Sequence, residues 1–343
     1  MWSIGLDVHQ RWSVICILDE NGHVVKERRI VGHWQELLTV LKGLGQPFAI
    51  CYEASCGYGS LHDALSTVAA RIFVAHPGHL RLIFRSKRKN DRVDARKLAM
   101  LLLLNQVPQV HVPSGEVRHW RSLIEFRQRL IGKRVRGKNA LRALVRGQGL
   151  TLACGKRLWT KKGLAELAIL ELPGIIGVQR DMLLEELKEL DSKVARVTRE
   201  LDRLGRQHPG VLLLRTIPGV GARTGEAVMA YIDQARRFTR NRQIGSYFGL
   251  VPCQDQSADK NRLGHITRQG PATVRKLLTE AAWQGIRRSP QIRSFFERVQ
   301  HGDPQRKKIA LVATAHYLAR VMQAMLRTGE VWRHEGQIKK KVA

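Results

Sequence analysis

Apolar and polar positions in the first hundred residues alternate between two periods. Trp2 to Val8, Trp12 to Leu18 and Val24 to Val31 are short runs rich in β-branched and aromatic side chains, and they read as strands. Asp19-Glu20-Asn21-Gly22 supplies a hairpin turn between the second and third runs, because Asn-Gly tolerates the positive φ of a tight hairpin. Trp34, Leu37, Leu38 and Leu41 recur at helical spacing within Trp34 to Leu44. Phe48 to Tyr52 and Ile72 to Ala75 follow as apolar strands, with a helix over Leu61 to Ala70 between them and another from about Asp91 to Leu104 after them. Three strands in succession, then strand–helix alternation, predict a mixed α/β sheet flanked by helices.

Beyond about residue 115 the period-2 signal fades. His119 to Leu150 reads as a strongly basic helix carrying Arg134, Arg136 and Lys138. Leu183, Leu187, Leu190, Val194, Val197, Leu201 and Leu204 then alternate spacings of four and three with charged residues between them, which predicts a helical coiled coil. An antiparallel hairpin within one chain is the alternative, but a seam shared with a second copy is the favoured expectation. From Gly210 the pattern is again mostly helical, with Val274 to Ile286 and Ile309 to Leu326 as core helices and a loop from Pro252 to Gly270 between elements. The expected organisation is an α/β domain over 1–115, a basic helix and coiled-coil dimerisation segment over 116–209, a helical domain over 210–335 and a basic tail over 336–343.

Charge changes the picture more than length does. The 343 residues carry 59 Lys and Arg against 29 Asp and Glu, a net charge of +30, while 43% are hydrophobic. Cores can therefore form, and the excess charge makes a polyanion the leading partner. The longest apolar run, Leu98 to Leu104, is far short of the ~20 residues that span a bilayer. No long apolar stretch follows the start to suggest a secretion signal. Five cysteines without a C-x-x-C pair fit a reducing compartment, so a cytoplasmic, nucleoid-associated location is expected.

Four acids stand out against this basic background. Asp7 lies in the first strand among Ile4, Leu6 and Val8, Glu53 falls just past the strand ending at Tyr52, and Asp91 and Asp94 share a face at the start of a helix. An acid in an apolar strand is costly unless it is paired or binds a cation. Carboxylates converging near strand ends make an oxygen cage suited to Mg²⁺, either as two ions or as one bridging site. His9, His62, His79 and His265 lack metal-ligand spacing and read as local or phosphate contacts.

I-G-L-D at 4–7, Y-E-A-S-C-G-Y at 52–58 and N-D-R-V-D-A-R-K-L-A at 90–99 resemble the three signature blocks of the DEDD insertion-sequence transposases, the RuvC-like recombinases of insertion-sequence family one-hundred-and-ten. The resemblance implies a ribonuclease-H-like fold for the first domain, whose strand order it shares, and Mg²⁺ held by Asp7, Glu53, Asp91 and Asp94. Gly249-Leu250-Val251-Pro252, then Ser257, then Arg262-Leu263-Gly264-His265-Ile266-Thr267 resemble the second family signature. It implies that Ser257 is the nucleophile, linking covalently to DNA, and that a structured non-coding bridge RNA guides strand exchange. A hydroxyl needs activation to attack, and the acids of the first domain would supply it in a composite site. Asp255 and Asp259 flank the serine where the family more often has small or basic residues.

Basic clusters surround these motifs. Arg81, Arg85, Lys87, Arg88 and Lys89 precede the acidic helix, and Arg236, Arg237, Arg240, Arg242, Arg262 and Arg268 surround the Pro252–Gly270 stretch. Such residues bind phosphates with little regard to base sequence. Ile217-Pro218-Gly219-Val220-Gly221 resembles a helix-hairpin-helix turn, whose glycines offer backbone N–H groups to phosphate. The leading expectation is a DNA recombinase that excises and inserts a mobile element, acting as a homodimer that assembles to a tetramer. A RuvC-like nuclease or junction resolvase using activated water is one alternative, and a non-catalytic RNA-binding protein is another.

Overall fold

The first apolar run becomes the middle of a sheet. In a computed structural model, which describes residues 1–83, 90–151, 157–257 and 260–333, strands β1 (Trp2–Val8), β2 (Trp12–Leu18), β3 (Val24–Val31), β4 (Phe48–Glu53) and β5 (Arg71–Ala75) form one five-stranded sheet in the order β3-β2-β1-β4-β5. β1, β2 and β3 pair antiparallel in chain order. β4 runs parallel to β1 and β5 parallel to β4. Helix α1 (Trp34–Lys42) precedes β4, and α2 (Tyr58–Leu65) carries the crossover to β5 that a parallel pair requires. Helices α3 (Pro77–Ile83) and α4 (Asp91–Leu103) follow. The three predicted N-terminal strands match their observed bounds, the later predicted elements of this unit differ at their ends, and α3 was not predicted.

Strand periodicity sorts side chains between two faces. Ile4, Leu6, Ile15, Ile17, Ile50 and Tyr52 pack with Leu37, Leu41, Leu61 and Leu65 of α1 and α2. On the other face Val14, Cys16 and Leu18 meet Ala95 and Ala99, while Cys51 and Phe73 meet Leu98 and Leu101, so α4 covers that side. The contact between α4 and β1 is closest at Gly5, where an added Cβ would lie 1.8 Å from the Ala95 carbonyl oxygen and 2.4 Å from the Ala99 nitrogen. No other residue fits there. β3 is exposed except at Ile30, and its Lys26, Glu27, Arg28 and Arg29 keep this edge from pairing with another strand. The predicted turn also forms, with Gly22 at φ +87° and the Asp19 side chain accepting from the Asn21 and His23 amides.

The chain divides into two compact units at Arg118, near the start of α5 (Gly115–Gly147). Most of the expected 116–209 segment therefore lies in the same unit as the helices beyond residue 210. That unit contains α6 (Lys161–Ala168), α7 (Gly174–Gly205), α8 (Pro209–Leu214), α9 (Ala222–Ile232), α10 (Gln243–Tyr247), β6 (Pro252–Ser257), β7 (Lys260–Ile266), α11 (Ala272–Arg288), α12 (Pro290–Gln300) and α13 (Lys307–Thr328).

The expectation that the heptad seam belongs to a second copy is corrected here. α5 and α7 run antiparallel within one chain, as Arg127 Nε bonds Thr198 Oγ1 and Arg134 Nη1 bonds Asp191 Oδ1, both at 2.8 Å. Leu187 packs with Leu141 and Val145 of α5, while Leu190, Val194, Val197 and Leu201 join Trp120, Ile124 and Leu130 in the helical core. Heptad spacing specifies an apolar stripe but not the chain that covers it. Pro252 to Gly270 is likewise not a plain loop, since β6 and β7 form an antiparallel hairpin. Pro304–Thr328 is long and apolar enough to cross a membrane by length and composition, yet half of it is buried in this unit. Its Ala315, Leu318, Ala319 and Met322 are fully buried with Leu278 and Ala282 of α11.

One acid is sealed into the junction of α7 and α9. Glu226 is 1% exposed, pairs with Arg223 at 2.8 Å, and leaves Oε2 without a hydrogen-bond partner among the described residues. Gly205 makes room for it, because a Cβ there would sit 2.5 Å from Glu226 Oε1. Burial pushes the Glu226 carboxyl up to about 7 against the opposing pull of Arg223.

Two outcomes follow from these contacts. Leu190→Ala is expected to destabilise the helical unit by about 2–4 kcal/mol while leaving the mass measured by light scattering unchanged. A variant that stays helical but dissociates would return the seam to a second chain. Glu226 favours its protonated form in the folded state, so its contribution is complete below pH ~4.5 and is lost as pH rises through ~7. Denaturant titrations should show Glu226→Gln gaining on the wild type by about 1–3 kcal/mol between pH 5 and pH 8.5. A difference that stays flat across that range would contradict the assignment.

Candidate active site

Asp7 and Glu53 occupy equivalent ends of neighbouring parallel strands. Leu6 of β1 is in register with Tyr52 of β4, and the two acids are the next residues. Gly5 and Cys51 pair two positions earlier and meet α4, so strand alternation turns both acids toward that same helix. Asn90 caps α4 by accepting from the Arg92 amide, which sets Asp91 and Asp94 in the first turn. The close approach of Ala95 to Gly5 then brings that first turn to the end of β1.

Asp7, His9 and Asp91 meet at this corner, with ligand atoms all within 4.8 Å of one another. His9 Nε2 lies 3.2 Å from Oδ2 of Asp7 and 3.2 Å from Oδ2 of Asp91. Trp12 Nε1 donates to Asp91 Oδ2 at 3.3 Å, and the Trp12 ring lies 5.1 Å from the His9 ring. Burial raises the Asp7 carboxyl above its ordinary range, His9 opposes that shift, and Asp91 and Asp94 reinforce it. Asp94 has Lys97 Nζ 3.5 Å away. Glu53 is exposed and lies outside the three-residue cluster.

Two carboxylates sharing one imidazole form a site of hard oxygen donors with one nitrogen, which fits a divalent cation of the Mg²⁺ or Mn²⁺ kind. The desolvated Asp7 supports that fit, because an acid pushed toward neutrality first by burial and then by neighbouring acids is one that a cation would relieve. Read from sequence alone, His9 is a local or phosphate contact and Trp12 is not singled out for the site. His9 follows the end of β1 two positions beyond Asp7 and Trp12 opens β2, and only the fold brings Asp91 beside them.

Ser257 belongs to the second unit. It ends β6, is exposed, and pairs in register with Lys260 beside the hairpin turn. Arg275 holds the base of this hairpin, its Nη1 donating to the carbonyls of Phe248, Gln269 and Gly270 at 3.1, 2.7 and 3.0 Å. Gly249 and Gly270 adopt positive φ there, and a Cβ on Gly249 would lie 2.1 Å from the Gln269 carbonyl oxygen.

The basic residues fall into two kinds. Arg81, Arg136, Arg236, Arg240, Arg242, Arg262 and Arg268 are exposed. Arg134 is paired with Asp191, and Lys138 lies over the Trp159 ring at 4.7 Å. Arg237 is half-buried, donating to the Ile232 and Tyr231 carbonyls with its guanidinium over Phe238 and Tyr247. Arg85, Lys87, Arg88, Lys89 and the 336–343 tail lie outside the described residues. In the Ile217–Gly221 turn, Gly219 packs on α11, where a Cβ would lie 2.4 Å from the Gly285 nitrogen, whereas Gly221 is open and caps α9.

Comparison with known proteins matches both ends of the chain. Residues 4–148 match the DEDD transposase domain of IS110, and residues 211–297 match the transposase IS116/IS110/IS902 family. Together these cover about two thirds of the chain. The chain is 26% identical to the transposase for insertion sequence element IS1111A of Coxiella burnetii, over 96% of this chain and 91% of that protein. It is also 26% identical to the "Probable family 20 transposase" of Pseudomonas aeruginosa, over 94% and 96%. The transposase for insertion sequence element IS1328 of Yersinia enterocolitica is 22% identical, over 96% and 98%.

The raised Asp7 carboxyl has a stability consequence that tests the corner directly. An acid with a raised folded-state pKa costs stability once ionised, so Asp7→Asn is expected to melt above the wild type at pH 7 in metal-free buffer. That advantage should shrink toward zero as pH falls through the carboxylate range. An Asp7→Asn protein that melts below the wild type at pH 7 and equals it at pH 3 would reverse the sign.

Proposed function

The chain belongs to the IS116/IS110/IS902 transposase family, with a DEDD-type IS110 domain, and from that membership we propose that it excises and inserts a mobile DNA element by Mg²⁺-assisted, serine-mediated strand cleavage and exchange. The observation that carries the reading is the meeting of Asp7 and Asp91, from β1 and α4, around a shared His9. A purely nucleic-acid-coating protein gains nothing from two acids held this close at the end of the sheet's central strand. Three antiparallel strands followed by two parallel ones support the reading of the first unit as ribonuclease-H-like.

Asp7 and Asp91 would hold the cation with His9, and Glu53 and Asp94 flank them as further carboxylates. When bound, Mg²⁺ offsets charge on the phosphodiester and on the departing oxygen. Ser257 supplies the attacking hydroxyl oxygen; its exposure at the end of β6 leaves that oxygen open to a DNA backbone. Attack would form a bond from Ser257 Oγ to phosphorus as the bond from phosphorus to one sugar oxygen breaks, that sugar leaving as a hydroxyl with the proton the serine gives up. The phosphoserine ester is then opened when a sugar hydroxyl attacks it in turn. Exposed arginines bind the backbone without reading bases, so sequence choice is delegated to base pairing with a structured bridge RNA. The working assembly is a homodimer that pairs into a tetramer.

Ser257→Ala is expected to bind nucleic acid as the wild type does and to lose strand exchange. With a suicide DNA substrate, the wild type should form a covalent adduct that requires Mg²⁺ and all four acids, and peptide mapping should place it on Ser257. Asp7→Ala, Glu53→Ala, Asp91→Ala and Asp94→Ala should each lose about 10²-fold or more in rate while remaining folded. Mg²⁺-dependent cleavage by Ser257→Ala with no adduct would identify a water-using nuclease instead.

A further inference from the structure

In the second unit, Arg240 and Arg242, two of the basic residues singled out above, share a concave patch with two arginines of α13 that were not. α13 carries His316, Arg320 and Arg327 at positions i, i+4 and i+11, which a helix places on one side. The segment leading into α10 contributes Arg240, Asn241 and Arg242, and together these residues line a cavity of about 620 Å³. No lining residue is acidic. Among the described residues no carboxylate pairs with Arg240, Arg242, Arg320 or Arg327, although ion pairs elsewhere in the unit engage Arg134, Arg180, Arg203 and Arg223.

The walls of the cavity are fixed. Arg327 Nη1 donates to Asn241 Oδ1 at 3.2 Å, tying α13 to the opposite segment through a neutral partner that leaves the guanidinium charge uncompensated. His316 forms part of the lining and rests against α10 at Gly245, where a Cβ would lie 2.2 Å from its Nε2. That ring nitrogen is buried without a hydrogen-bond partner. Four like charges around one hollow repel one another, and an anion with several oxygens relieves that repulsion through charge-assisted hydrogen bonds. The guanidinium fork matches phosphate oxygens, and the volume accommodates a phosphate with its flanking sugars.

We propose that this cavity binds a backbone phosphate of the nucleic acid, with Arg240, Arg242, Arg320 and Arg327 as its ligands. The proposal rests on the reading of the chain as a DNA-processing transposase and adds to it an anchoring point on α13. Nucleic acid and free phosphate share the recognised chemistry, so the test separates them. The full-length protein is titrated with a fluorescein-labelled DNA duplex across a salt series, for the wild type, Arg320→Ala/Arg327→Ala, Arg240→Ala and Arg320→Lys/Arg327→Lys. All four side chains are exposed, and circular dichroism checks the fold of each variant.

The slope of log affinity against log salt is expected to fall by about 0.9 for the alanine variants, the loss of one duplex phosphate contact. The lysine variant should keep the slope while losing part of the affinity. In a parallel arm, inorganic phosphate should raise the melting temperature of the wild type more than that of the double alanine variant. Alanine variants with the wild-type slope overturn the nucleic-acid ligand, even if the phosphate arm still responds; that combination assigns the cavity to free phosphate. A wild type that binds no duplex at any salt defeats the broader reading, and it is told apart from failure of this cavity alone by the wild-type curve itself.

Discussion

The packing of α4 on β1 at Gly5 sets the geometry of the candidate site. The helix backbone approaches so closely that the Ala95 carbonyl oxygen occupies the place a Cβ would need. Ala95 and Ala99, both fully buried, are the small residues that permit this approach from the helix side. One turn before Ala95 lies Asp91, and two residues beyond Gly5 lies Asp7. A bulkier residue at position 5 would lift the helix off the strand and separate the two carboxylates, although it would touch neither. The tightness of an apolar contact thus decides the distance between two charges.

The helical unit adds to its apolar core a set of half-buried polar groups between helices. Glu125 of α5 accepts from the Tyr231 hydroxyl at 2.8 Å and from Thr273 Oγ1 at 2.7 Å, tying together α5, α9 and α11. Arg121 donates to the Ala230 carbonyl at 2.7 Å and to the Tyr231 carbonyl at 3.2 Å. Such bonds add modest net stability but penalise any slip, because a slipped helix leaves a buried donor or acceptor unmet. They also absorb part of the positive charge. Arg121, Arg127, Arg223, Arg237 and Arg275 hold helices and loops in place, so the surface available to phosphates is a subset of the basic residues rather than all of them.

The sheet was legible because its signals are local. Period-2 runs, an Asn-Gly turn and a capped acidic helix are written within a few residues each, and the three N-terminal strands appear where those signals put them. The four acids were legible as candidates from their surroundings, an acid among apolar neighbours or at a helix start. His9 was not, because one histidine carries no spacing of its own; its role depends on Asp91, brought beside it only by the fold. The partner of the heptad seam was also illegible. Leu190 and Val197 announce a buried stripe, yet only the length and register of α5, paired through Arg127–Thr198 and Arg134–Asp191, show that the chain covers it itself. The β6–β7 hairpin escaped notice because β6 is mostly polar and exposed along its length, leaving no alternation to read.

Electrostatics links the two ends of the argument. A chain of net charge +30 draws a polyanion to its surface, yet the corner built from Asp7 and Asp91 would repel a phosphate brought to it. Two unit charges 4 Å apart interact by about 1 kcal/mol in water and several-fold more near a protein surface of lower effective dielectric. His9 offsets part of that repulsion when protonated, and it already lies between the two Oδ2 atoms. A divalent ion would offset more and would also present open positions to phosphate oxygens. On the proposed reading the basic exterior and the acidic corner are complementary: distributed arginines would concentrate DNA near the protein, and the paired acids would admit its phosphodiester only together with a cation.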